Sequence, residues 1–291
     1  MKKVLLILSL LVCFFGISLA QDSSLISIST VDSGYVAVDG GKLFYELAGE
    51  GRNIVLLHDG MVHREIWDEQ FPMLAKTFRV ARYDRRGYGK SSDPVTKYSH
   101  IEDLNRLFIQ LNIDKAIIFG MSSGGRLAMD FALTYPDKVE GLVLVGAVVS
   151  GFGYTSHMHS RGGHFDPRNY SDPVKVNEYF IMDDPYEIYS ENRAAKEKVM
   201  KLMPALARDN SVPTQPAAKV AVRSLSDIKV PALILVGEYD IPDVHAHAGV
   251  INAGIAGSKR EIIPRSGHLI PIEQPALFNE AIMDFLNRLQ E

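Results

Sequence analysis

Residues 115–132, KAIIFGMSSGGRLAMDFA, constrain the fold more than any other stretch of the chain. Ala116 to Phe119 is a short apolar run with β-branched residues, the pattern of a strand buried on both faces of a parallel sheet. From Arg126 onward, Leu127, Ala128, Phe131 and Ala132 recur at helical spacing. Only Gly120, Met121, Ser122, Ser123, Gly124 and Gly125 lie between them, so strand must turn into helix abruptly, with a hydroxyl at the apex. In so tight a turn neighbouring backbone passes close by, and a Cβ two residues from the apex would collide with it. Ser122 has Gly120 behind it and Gly124 ahead, whereas Ser123 has Met121 behind it. Ser122 is therefore the better candidate for the apex. The helix that follows aims free N–H groups and its positive dipole end at that point, where negative charge on a reacting oxygen would be stabilised.

The flanking sequence extends the same architecture. Tyr35–Val38 and Lys42–Leu47, joined through Asp39-Gly40-Gly41, read as an antiparallel hairpin. Ile54–Leu57 is a buried strand ending in His58-Asp59-Gly60. A helix is expected over Ile66–Lys76, a strand over Phe78–Tyr83, a helix over Ile101–Leu111 and a strand over Val139–Ala147. The rhythm breaks at residues 150–225, which contain no clear strand and are expected to hold helices near 173–181, 185–192 and 194–206. It resumes with the strand Ala232–Val236, a helix near Val244–Ala253, the strand Arg260–Ile263 and a helix over Glu273–Leu289. Strands alternating with helices predict a mostly parallel, doubly wound α/β sheet. The segment 150–225 then reads as a helical cap inserted into a core made of 21–149 and 226–291, lying over the carboxyl edge where such sheets bind ligands.

A serine nucleophile needs a base, and the base needs an orienting acid. Both should follow later strands. Gly237-Glu238-Tyr239-Asp240 follows one and Arg265-Ser266-Gly267-His268 the other, which gives the chain order Ser122, Asp240, His268. Glu238 and Asp243 stand near enough to compete with Asp240 as the acid. The N–H of Ser123 and a second N–H from the loop after Leu57, either Gly60 or Met61 with Gly60 preferred, would form the oxyanion hole. Met61 and Met121 are expected to wall the substrate site, with Phe152 closing it from the cap. His157, His159 and His164 cluster in the cap, but no carboxylate or cysteine spacing completes a metal site, and none is expected.

The chain starts with Met1-Lys2-Lys3, continues apolar from Val4 to Ile17 and reaches Ser18-Leu19-Ala20. That pattern predicts a secretory signal peptide over residues 1–20, too short to span a membrane comfortably, and a periplasmic or extracellular product. The single cysteine, Cys13, lies within it, so the exported protein would hold no disulfide. Loss of Lys2 and Lys3 takes the net charge from −4 to about −6, which gives nucleic acid or an anionic membrane no footing.

Leu57-His58-Asp59-Gly60, Asp84-Arg85-Arg86-Gly87-Tyr88-Gly89-Lys90-Ser91, Gly120-Met121-Ser122-Ser123-Gly124-Gly125, Gly237-Glu238-Tyr239-Asp240 and Gly267-His268 together resemble the α/β-hydrolase superfamily. The likeness is greatest to its capped branch of enol-lactonases, small-ester hydrolases, cofactor-free haloperoxidases and C–C bond hydrolases. It covers residues 35–150 and 226–290. It implies an α/β-hydrolase fold and hydrolysis of small or medium esters or lactones through an acyl-enzyme, without a cofactor. C–C bond hydrolysis or perhydrolysis would use the same three residues, and a small-ligand-binding protein could keep the same fold. Asp59 departs from the branch, which usually has a second His-Gly-type residue there; a carboxylate beside the oxyanion hole would repel the charge that develops in it unless it turns away.

Overall fold

A computed structural model describes residues 30–156, 158, 175, 178, 181–182, 193–203 and 212–289. Among these residues the chain forms one eight-stranded sheet in the order β1-β2-β4-β3-β5-β6-β7-β8. The strands are β1 (Asp32–Val38), β2 (Gly41–Ala48), β3 (Asn53–Leu57), β4 (Arg79–Tyr83), β5 (Ala116–Met121), β6 (Val139–Val145), β7 (Ala232–Gly237) and β8 (Lys259–Ile263). β1 and β2 make the antiparallel hairpin, with Val38 opposite Gly41, and β2 also runs antiparallel to β4. Every other neighbouring pair is parallel.

Helices cover both faces. Those used below are α1 (Gln70–Leu74), α2 (His100–Gln110), α3 (Ser123–Thr134), α4 (Arg193–Leu202), α5 (Pro242–Gly254), α6 (Ile270–Glu273) and α7 (Pro275–Arg288). Prolines explain two departures from the expected helices. The segment expected as one helix over 66–76 is a 3₁₀ turn (Arg64–Trp67) followed by α1, because Pro72 lacks an N–H and its ring would meet the carbonyl of Asp68 in a continuous helix. The terminal helix likewise divides at Gln274, and Pro275 restarts it at the first helical position.

Side chains of the fully buried β5 alternate between two cores. Ala116 and Ile118 join the layer beneath α2 and α3, while Ile117, Phe119 and Met121 join the layer containing Trp67, Phe278 and Ile282. Strand order reverses at β3 and β5, since the chain leaves β3 for β4 on one side and returns to β5 on the other. A crevice opens beyond the carboxyl ends at such a switch point, and here it lies between His58-Asp59-Gly60 and Ser122.

Candidate active site

β5 turns into α3 through Ser122, whose backbone is held at φ 52° and ψ −115°. A side-chain-bearing residue in that region stores on the order of 1–3 kcal/mol of strain. Its N–H donates to the Val145 carbonyl (2.8 Å), and its own carbonyl accepts from Arg126 N–H (3.2 Å). The glycines on either side have no room for a side chain: a Cβ on Gly120 would stand 2.5 Å from the Gly124 carbonyl oxygen, and one on Gly124 would stand 2.5 Å from that of His58.

Asp240 follows β7 and His268 follows β8. His268 Nδ1 lies 2.8 Å from Asp240 Oδ2, and both residues are buried. A carboxylate can only accept, so Nδ1 carries the proton and Nε2 is left as the imidazole's acceptor. Asp240 Oδ1 accepts from Ile241 N–H (2.8 Å), which fixes the carboxylate plane. The two competing acids face elsewhere. Glu238 accepts from Arg265 N–H, and Asp243 accepts from the backbone N–H and hydroxyl of Thr155.

Glu273 was not singled out by its sequence context. Its two carboxylate oxygens accept from Gly267 N–H and Leu269 N–H, both at 3.0 Å, and so brace the loop on either side of His268. Burial pushes its carboxyl up to about 7, with the Asp240 charge adding to the rise; the two N–H donors and His268 oppose it. Nothing in the sequence near Glu273 marks this role, which depends on α6 folding back against the loop.

The loop after β3 is organised by side chains. Arg85 N–H donates to His58 Nε2 (3.0 Å), so His58 Nδ1 carries its proton and donates to the Asp59 carbonyl (2.8 Å). The Arg85 guanidinium donates to that same carbonyl, to Tyr88 Oη and to Ser123 Oγ (2.9 Å), which joins this loop to the first residue of α3. Asp59 is 1% exposed; its Oδ1 accepts from Val62 N–H (2.8 Å) and its Oδ2 has no hydrogen-bond partner. Burial pushes its carboxyl up to about 6, against hydrogen bonds from Val62 and Met61 and the charges of His268 and Arg85.

Ser122, Asp240 and His268 line one cavity of about 130 Å³ together with Asp59, Gly60, Met61, Val148, Tyr154, Met158, Ile241 and Val244. Ser123 faces a neighbouring cavity of about 340 Å³ with Arg85, Arg126 and Lys219. Two expected walls are elsewhere. Met121 is wholly buried in the core with Phe119, because its position in β5 turns its side chain away from the crevice. Phe152 packs edge-on against His247, with ring centroids 4.9 Å apart, and Tyr154 and Met158 line the cavity instead. His247 accepts from Val149 N–H through Nδ1, and burial lowers its pKa, so it stands neutral beneath that ring. His157, His159 and His164 lie outside the described residues, as do residues 1–20. His63, Glu65 and Asp84 come within 4.8 Å of one another, but both carboxylates already hold the Arg64 guanidinium, at 2.9 and 2.7 Å.

Residues 53–275 match the family described as alpha/beta hydrolase fold. A 2-hydroxy-6-oxo-6-(2'-aminophenyl)hexa-2,4-dienoic acid hydrolase of Metapseudomonas resinovorans is 27% identical over 87% of this chain and 90% of its own length. Among solved structures, a thermophilic esterase from Thermogutta terrifontis is 25% identical, with a TM-score of 0.73 over 89% of this chain and 100% of the other. Est816, described as an N-acyl homoserine lactone degrading enzyme, is 26% identical, with a TM-score of 0.66 over 87% of this chain and 100% of its own.

Proposed function

The chain belongs to the α/β-hydrolase family, and on that premise we propose that it is a serine hydrolase of small carboxylic esters or lactones. One observation carries the reading: the strained Ser122 and the hydrogen-bonded Asp240–His268 pair line a single small cavity. Ser122 Oγ attacks the substrate carbonyl as His268 Nε2 takes its proton, and Asp240 holds the imidazole and stabilises its charged form. Gly60 and Ser123 N–H groups receive the oxyanion. His268 then gives its proton to the departing alkoxide, which in a lactone stays tethered to the acyl group. Water deprotonated by His268 next attacks the acyl-enzyme, frees the acid and restores Ser122. No step calls for a cofactor.

The relatives named as esterase and lactone-degrading enzyme support this substrate class, and a cavity of this size favours short acyl groups. The relative named as a dienoic acid hydrolase favours a second reading, C–C bond hydrolysis with the same three residues. A fluorophosphonate probe, together with a kcat/KM survey over p-nitrophenyl esters, lactones and a vinylogous diketone, separates them. Labelling at Ser122 with short esters or lactones preferred supports the first reading. Preference for the diketone supports the second, and labelling at Ser123 instead overturns the assignment of the nucleophile. Export rests on residues 1–20 of the sequence, and a mature N-terminus near Gln21 would support it.

A further inference from the structure

Asp59 is a costly residue for a general ester hydrolase to keep in this place. It lines the cavity of Ser122 and adjoins Gly60, whose N–H is assigned to the oxyanion. A buried carboxylate normally has both oxygens bonded, or it is paired with a cation. Here Val62 N–H holds Oδ1, Met61 N–H also acts on the carboxylate, and Oδ2, itself buried, has no hydrogen-bond partner. The two charged or titratable groups that act on it are His268 and Arg85. The Arg85 guanidinium gives its Nη2 to the Asp59 backbone carbonyl, Tyr88 and Ser123, and its buried Nε has no hydrogen-bond partner, so none of its hydrogen bonds goes to the carboxylate. His268 gives its Nδ1 proton to Asp240.

An ionised carboxylate at this point opposes the oxyanion of every neutral substrate. A substrate carrying its own positive charge would satisfy the free oxygen and cancel the repulsion at once. We propose that Asp59 is a specificity-determining residue whose free oxygen receives a protonated amine of the substrate, so that the favoured substrates are aminoacyl esters or amino-substituted lactones. This deepens the reading of Ser122 as the nucleophile and rests on it. Above about pH 6 the carboxyl is ionised, and a substrate amine keeps its proton up to about 7.7 when it is an α-amine and higher when it is further from the ester, so both partners carry the needed charge between about pH 6 and 7.5.

Three matched pairs of benzyl esters test the subsite: glycine against propanoate, β-alanine against butanoate, and 4-aminobutanoate against pentanoate. Each pair differs in charge and hardly in size. At about pH 7, kcat/KM for at least one cationic ester should exceed that of its neutral partner by roughly tenfold or more, as a charged hydrogen bond at a buried site allows. Asp59→Asn keeps an oxygen for Val62 N–H, so the loop is retained while the charge is lost. It should bring that ratio to about one. A ratio of one or below in the native enzyme at all three spacings, or the same ratio in Asp59→Asn, overturns the proposal. Calorimetric titration of Ser122→Ala with the same esters reads the subsite without turnover. Tighter binding of a cationic ester, abolished by adding Asp59→Asn, supports the subsite even if Ser122 were not the nucleophile; equal binding within every pair overturns it. Failure of the nucleophile shows separately, as absent fluorophosphonate labelling.

Discussion

Two corners of the sheet meet at the crevice, and they are built on opposite principles. The corner between β5 and α3 is fixed by backbone packed on backbone, with no space around Gly120 or Gly124 for a methyl group. The corner after β3 is fixed by side chains: His58, Arg85 and the Asp59 carboxylate hold a loop in which a Cβ on Gly60 would meet only Ser123 Oγ, at 3.7 Å. Steric fixing leaves the first corner one conformation and no chemical latitude. Polar fixing lets the second change its charge without changing its shape. The apex can therefore be constant while the neighbouring loop sets what is admitted.

Substitutions can break this contrast. The largest effect is expected at the crowded corner. Gly124→Ala must push back the His58 and Leu57 carbonyls, at a cost of roughly 1–3 kcal/mol or more, and should abolish fluorophosphonate labelling. Gly60→Ala should keep both labelling and melting temperature close to native. Equal damage from the two would erase the distinction.

Next comes the acid. Asp240→Asn should lower kcat by on the order of 10³ to 10⁴, since the imidazole tautomer is no longer fixed, and calorimetry should show little loss of stability. Asp243→Asn, whose carboxylate holds Thr155, should cost less than about tenfold. The reverse order would move the orienting role to Asp243. Glu273→Gln retains only one acceptor for the two N–H groups around His268, so a fall in kcat of about 10-fold to 100-fold with KM little changed is expected from steady-state rates.

The smallest effect is a stability difference at the side-chain-built corner. The Asp59 carboxyl titrates at about 6 in the folded chain against an ordinary 3.8, so the folded state binds its proton more tightly. Its favourable contribution is complete below the ordinary value and is lost as pH rises through about 6. Asp59→Asn should therefore melt above the native protein at pH 8, by an amount equivalent to about 1–3 kcal/mol, and the gap should close toward pH 4. A gap independent of pH would mean that the buried carboxylate carries no such penalty.

The crowded corner was legible in the sequence because its constraint is local: glycines two residues from a serine, between a strand run and a helix run, admit few geometries. The partners Asp240 and His268 were legible from their places after strand ends. Met121 was misplaced because every residue of β5 is buried, so composition does not reveal which face each side chain takes; counting in twos from Ile117 and Phe119 puts it in the core. Glu273, Arg85 and His247 act through contacts formed only when distant segments meet, and sequence spacing holds no trace of those contacts. Asp59 was visible as a departure, but the free oxygen that gives it meaning was not.

The sheet also bears on how this chain can be altered over time. β6 and β7 are adjacent parallel strands, with Leu142 beside Ala232, although residues 146–231 separate them in sequence. Just past the sheet the two ends of that excursion are tied together: Ser150 Oγ accepts from Ala221 N–H, and the Ser150 carbonyl accepts from Val222 N–H. Inside that tie the excursion also packs on the core, with Ala195 and Val199 in the layer of Trp67 and Phe278 and Thr155 bonded to Asp243. Closure entropy grows with the logarithm of length, so doubling the excursion would cost only about 0.6 kcal/mol. Insertions and deletions between Ser150 and Ala221 that spare those contacts can thus proceed without moving β6 or β7, which makes this junction a seam for recombination in the gene and for grafting at the bench.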